Sequence, residues 1–124
     1  MTSADAAGSD TGGLFAAIDA QDAASFVSFL TEDAVFRFGS APPVQGREQI
    51  RAAVDAFFAT IAGCRHTISN SLRSGSTLVC EGDVAYQRHD GTEVSVPFAD
   101  VFEYKGDLIA HYKIYLDISP LYAK

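Results

Sequence analysis

The sequence predicts an α+β domain: a strongly curved, mostly antiparallel sheet wrapped round one long helix, with a cone-shaped hollow between them. Three observations lead there. Element signals run helix, helix, short strand, helix, and then four strands in succession. One helix carries a long apolar stripe, Ile50, Val54, Phe57, Phe58 and Ile61, at helical spacing. From Arg65 onward the chain alternates with period two, as half-buried strands do. Helices beside an antiparallel meander make an α+β fold, and the hollow of a bent sheet is a natural ligand site.

The bulk properties narrow the function. A chain of 124 residues with a hydrophobic fraction of 48% can bury a core of its own. A net charge of −7 argues against nucleic acid or an anionic membrane as partner. No apolar run approaches the roughly 18 residues that mark a membrane span. The opening MTSADAAGSDTGG lacks the basic and apolar regions of a secretory signal. Residues 1–12 read as a flexible tail and 13–124 as one domain. Cys64 and Cys80 are too few and too far apart for a disulfide framework or a zinc site. Two reduced thiols suit a cytoplasmic protein. No metal-ligand spacing is visible, and no cofactor is expected.

In chain order, a first helix is predicted over Gly13 to Ala20, with Leu14, Phe15 and Ile18 on one face. The stretch Asp19-Ala-Gln-Asp22 breaks it, and Asp22 can cap a second helix carrying Phe26, Phe29 and Leu30. Thr31-Glu-Asp33 closes that helix, and Ala34 to Gly39 alternates as a short strand. The loop Ser40 to Gly46 contains adjacent prolines, which remove ladder donors. The long helix spans Arg47 to Ala62 and ends at Gly63. Strands follow over Arg65 to Arg73 and Leu78 to His89. Asp90-Gly91 signals a type I′ hairpin.

The last hairpin is the most regular part of the chain. Val94, Val96, Phe98, Phe102 and Tyr104 share one parity, Lys105-Gly106-Asp107 turns, and Leu108, Ala110, Tyr112, Ile114, Leu116 and Ile118 share the next. Pro120 stops the strand. One residue breaks the apolar parity: Asp100, between Phe98 and Phe102. A carboxylate on a buried face is costly unless paired, hydrogen-bonded or neutralised, so Asp100 is the leading functional candidate.

These features resemble the nuclear transport factor 2-like, or SnoaL-like, superfamily from about residue 13 onward. The resemblance rests on Asp19-Ala-Gln-Asp22, Phe29-Leu-Thr-Glu-Asp-Ala34, Gly46 before the long helix, Asp100-Val-Phe102, Lys105-Gly106, Ile109 and Tyr112-Lys-Ile-Tyr-Leu-Asp117. It implies the cone fold and leaves the activity to the site. Against ketosteroid isomerase, Asp100 matches the protonated aspartate of the oxyanion hole. The family's general-base aspartate falls at Phe38, and its oxyanion tyrosine falls at or beside Leu14, where Phe15 is no substitute. Against limonene-epoxide hydrolase, Arg88-His-Asp90 resembles the Arg-x-Asp motif, while the third carboxylate falls at Ile114 and the water-positioning pair at Phe36 and Phe38. Asp90-Gly91 is better explained as a hairpin turn, and epoxide hydrolysis is the weakest of the readings.

The expected pocket combines Phe36, Phe38, Asn70, Arg88, Phe98 and Tyr112 with Val54, Phe57 and Phe58 of the helix, and with Phe102, Ile114 and Leu116 on the same parity. Phe57 and Phe58 also read as plain core. Arg88 reads either as a rim charge or as the partner of Asp100 or of a ligand oxygen. Asp100, Tyr86 and His66 are the catalytic candidates, His66 because its ordinary pKa suits proton transfer. Two functions fit. One is an isomerase, cyclase or lyase without a cofactor, acting on a small hydrophobic oxygenated molecule. The other is a binding domain that has lost its base. The outward parity holds Pro97, Ala99, Val101, Ile109 and Tyr115 among Glu103, His111, Lys113 and Asp117, the mixture of an interface. A homodimer through the outer sheet face is therefore expected.

Overall fold

The computed structural model describes residues 2–123, with side chains from Thr11 onward. In chain order it contains α1 (Thr2–Asp19), α2 (Ala23–Val27), β1 (Leu30–Phe38), β2 (Val44–Gln45), α3 (Arg47–Ala59), β3 (Gly63–Ser74), β4 (Thr77–Gln87), β5 (Glu93–Lys105), β6 (Leu108–Leu116) and α4 (Ser119–Tyr122). The strands form one sheet in the order β2-β1-β6-β5-β4-β3. β1 and β6 run parallel and every other pair antiparallel. This is the expected α+β architecture.

Local chemistry explains the helices. Asp22 caps α2, its Oδ1 accepting the Ser25 N–H at 3.1 Å. Gly46 precedes α3 with φ +94°, a conformation that side chains resist. Ile50, Val54 and Phe58 form the buried stripe of α3. Gln21, itself at φ +57°, donates to the Phe58 carbonyl at 3.1 Å and ties the α1–α2 turn to the end of α3.

Several boundaries differ from expectation. Helix α1 begins at Thr2 rather than Gly13. The side chains of residues 1–10, most of the stretch expected to be a flexible tail, lie outside the described residues. Strand β1 begins at Leu30, not Ala34, because Leu30 is buried and pairs with Ile109 of β6. That tertiary pairing overrides the polar Thr31-Glu-Asp33 stretch. Val44 and Gln45 escape the proline loop and pair with Phe36 and Val35. Helix α3 stops at Ala59, and Gly63 opens β3 instead of ending a helix. At the β4–β5 turn only Gly91 has positive φ, so the turn is not type I′. There Asp90 Oδ1 accepts the Thr92 N–H at 2.9 Å.

Two irregularities re-aim side chains. The β3–β4 register slips between Ile68 and Asn70. Ser71 then faces Cys80, at 3.4 Å, and Asn70 turns outward. The partner strand carries Gly82 there, where a Cβ would stand 1.9 Å from the Thr67 carbonyl oxygen. The β5–β6 register slips between Glu103 and Tyr104. Ile109 is thereby buried rather than outward, so it leaves the proposed outer face. The core lies between the concave sheet face and α1–α3. Phe102 and Tyr112, with rings 4.5 Å apart, sit near its centre.

Candidate functional site

The concave face and α3 enclose a cavity of about 210 Å³. Its walls are largely apolar. Strand β1 supplies Phe36 and Phe38; α3 supplies Val54, Phe57 and Phe58; β6 supplies Tyr112, Ile114 and Leu116. Ala41 and Pro42, both exposed, stand at the mouth. Phe38 packs on Phe57 at 4.9 Å, and Phe57 packs edge-on to Tyr86 at 5.7 Å. Polar groups are few: Asp100 and Tyr112 deep inside, Tyr86 on β4, and Cys64 and His66 on β3.

Alternation on β5 places Asp100 on the concave face, 1% exposed and opposite Cys80 of β4 and Ile114 of β6. The Tyr112 hydroxyl donates to Asp100 Oδ2 at 2.9 Å. Oδ1 has no hydrogen-bond partner among the described residues. Burial pushes the Asp100 carboxyl up to about 8, and the Tyr112 hydrogen bond only partly opposes it. Among the described residues no cation pairs with it. Burial therefore favours the neutral carboxylic acid over the carboxylate. Burial also pushes the phenols of Tyr86 and Tyr112 above their ordinary range, so both remain donors.

A second polar cluster sits where α1 meets β3. Asp19 Oδ1 lies 2.6 Å from His66 Nδ1, and Asp19 Oδ2 accepts the His66 backbone N–H at 3.1 Å. The Cys64 thiol points to the Ile18 carbonyl at 3.5 Å and to Asp19 Oδ1 at 3.8 Å. Burial holds the His66 pKa below its usual value, with Asp19 pulling the other way. Burial, with Asp19 alongside, pushes the Cys64 thiol up to about 12. One oxygen, one sulfur and one nitrogen lie within 4.8 Å of one another. They satisfy each other as hydrogen-bond partners.

Of the residues predicted for the pocket, three lie elsewhere. Asn70 is exposed on the far side of the β3 irregularity. Phe102 is core beneath the cavity, against Tyr112 and Phe15. Arg88 donates to the Leu121 carbonyl at 2.9 Å and the Pro120 carbonyl at 2.7 Å. It pins α4 and does not pair with Asp100. The remaining predicted residues line the cavity. Sequence reasoning missed Asp19, taken for a helix breaker, and Cys64. It also missed Ile18, Phe26, Val44 and Val84 among the apolar lining.

Phe38 leaves no carboxylate where ketosteroid isomerase has its base, and Leu14 is buried core. The Arg88-His89-Asp90 stretch of the hydrolase resemblance is a surface turn, with Arg88 engaged by α4 and Asp90 by Thr92. No protein of curated function matches the sequence. Many solved structures share the fold. A hypothetical protein with a ketosteroid isomerase-like fold from Catenulispora acidiphila, in complex with trimethylamine, has a TM-score of 0.82 at 20% identity, over 89% of this chain and 86% of its own. A Jannaschia protein described as a SnoaL-like polyketide cyclase has 0.81 at 16%, over 92% and 87%. An epoxide hydrolase of the limonene-epoxide type from M. tuberculosis has 0.76 at 16%, over 91% and 84%. At such identities these likenesses speak for the fold alone. The family model of the SnoaL-like domain matches residues 12–112, most of the chain, and the chain belongs to that family.

Proposed function

We propose that the chain binds a small, hydrophobic, oxygen-bearing molecule in this cavity and acts on it as an isomerase, cyclase or lyase, with Asp100 as the acid–base group. The observation that carries this reading is Asp100, a residue of the cavity wall whose Oδ1 is buried without a partner among the described residues. Leaving such an atom unsatisfied costs about 1–3 kcal/mol. A ligand oxygen placed there removes that cost. Because burial keeps the carboxyl protonated, it can donate to a carbonyl oxygen and stabilise the negative charge that develops on it. Proton transfer beside a carbonyl can proceed from side chains alone. The cavity of about 210 Å³ favours a mono- or bicyclic ligand. The alternative, binding without turnover, is favoured by Phe38, an apolar residue packed on Phe57 where a base would otherwise stand.

Fluorescence titration with beta-naphthol and with naphthalene tests the reading. They share a shape and differ by one hydroxyl. Tighter binding of beta-naphthol by about tenfold, erased in Asp100→Leu, is expected. Equal binding by the wild type would refute the role of Asp100.

We further propose a homodimer through the outer sheet face. Support comes from Tyr115, 54% exposed, beside exposed Pro97 and half-buried Val101. Light scattering should give twice the monomer mass for the wild type and a monomer for Val101→Arg. A wild-type monomer at micromolar concentration would rule the dimer out.

A further inference from the structure

The cavity contains a second group able to move a proton, which the proposed role of Asp100 leaves without a partner in the reaction. We propose that His66, oriented by Asp19, is the proton-accepting base of the cavity, working opposite Asp100 on a small carbonyl compound that bears an acidic C–H next to the carbonyl. This rests on the reading of Asp100 as the acid given above.

The geometry sets the tautomer. Asp19 grips one residue twice, accepting the backbone N–H of His66 with Oδ2 and meeting its ring nitrogen with Oδ1. A carboxylate only accepts, so the proton sits on Nδ1 and the lone pair on Nε2. Nε2 has no protein partner among the described residues. The ring is held between Phe15, centroids 5.0 Å apart, and Phe98, 5.3 Å apart. With its side chain 10% exposed, His66 is shielded from water and still lines the cavity. Phe98 lies two residues before Asp100 on the same face of β5, so base and acid flank one aromatic wall. Burial favours the neutral imidazole, the form a base needs.

The step balances without a co-reactant. The C–H bond breaks and its proton passes to Nε2. Its electron pair forms the new C=C bond, and the carbonyl π pair moves to the oxygen that Asp100 hydrogen-bonds. Asp19 then stabilises the imidazolium. Returning the proton to the same carbon gives exchange, and returning it further along a conjugated chain gives isomerisation. Asp19 is a positioning residue here. Cys64 stays a protonated thiol beside it and takes no part.

The test uses two probes of similar shape, beta-tetralone, whose activated hydrogens exchange, and beta-naphthol, which only binds. Proton NMR in heavy water should show faster exchange of beta-tetralone with wild type than in buffer. His66→Gln should lose about 100-fold of that acceleration, and Asp19→Asn about tenfold. Long-range proton–nitrogen NMR of wild type without ligand should find the His66 proton on Nδ1, with Asp19→Asn shifting it toward Nε2. Finding it on Nε2 in the wild type overturns the proposal. So does exchange that His66→Gln leaves unchanged, while Asp100-dependent binding of beta-naphthol would still stand. Loss of that binding alone would overturn the reading of Asp100, and the tautomer would still decide the case of His66.

Discussion

Two aspartates at this cavity receive opposite treatment. Asp19, 28% exposed at its side chain, has both oxygens engaged by His66. Asp100 is sealed in, with one oxygen on a phenol and the other, among the described residues, on nothing. The first has partners for both oxygens, and the second stands in a setting that favours a neutral acid. Environment, not residue type, divides the roles. The same contrast separates the two walls. At Asp100 burial opposes charge with little to offset it, whereas at His66 Asp19 partly offsets burial.

The largest effect expected from breaking this contrast is on stability against pH. Asp100 has a folded pKa of about 8 against 3.8 unfolded, so the folded state holds the proton longer. Below pH 3.8 both states are protonated and nothing is lost. As pH rises toward about 8 the protein loses stability, by up to something on the order of 5 kcal/mol. Asp100→Asn lacks this slope. Its melting temperature should overtake that of wild type as pH rises and hold a constant lead above about 8. A variant less stable at neutral pH, with the gap closing in acid, would mean a paired, ionised carboxylate.

A smaller effect sharpens the same wall. Tyr112→Phe removes the only donor to Asp100 among the described residues and leaves both its oxygens bare. We expect a loss of about 1–3 kcal/mol in denaturant unfolding. The phenol holds the Asp100 pKa down, so its loss should raise that pKa further. A fall on carboxyl titration would contradict this account of the pair.

The smallest effect comes from the other wall and has the opposite sign. The folded pKa of His66 lies below its unfolded value of 6.5. Unfolded chains therefore take up the proton first, and stability falls as pH drops through that window. His66→Gln should flatten this acid-side slope and leave the Asp100 slope intact. If stability against pH is unchanged by the substitution, burial of a neutral imidazole is not what the fold arranges.

Much of this was legible beforehand. Asp100 announced itself by interrupting an alternation that held from Val94 to Phe102, and Tyr112 shared its inward face. The aromatic lining of α3 and β6 followed from periodicity. What escaped detection depended on contacts between distant segments. Asp19 meets His66 across 47 residues of sequence, and at the end of a helix an aspartate looks like a stop signal. Asn70 was misplaced because one extra residue in β3 reverses the faces beyond it. The signal was Gly82, an isolated glycine inside a strand pattern, which marks a bulge or a close backbone approach. Ile109 was misplaced in the same way by the β5–β6 slip, with no glycine to mark it. Arg88 was credited to the cavity by parity, but β4 ends one residue before it and the side chain swings to α4.

The central claim is that Asp100 is a neutral acid at physiological pH. Infrared difference spectroscopy, wild type minus Asp100→Asn, reads this directly through the carbonyl stretch of a protonated carboxyl. The account predicts that this band is present at pH 7 and gives way to carboxylate bands near pH 8, the value set by burial of Asp100. A difference spectrum holding only carboxylate bands at pH 7, with the protonated band emerging near pH 4, would contradict it.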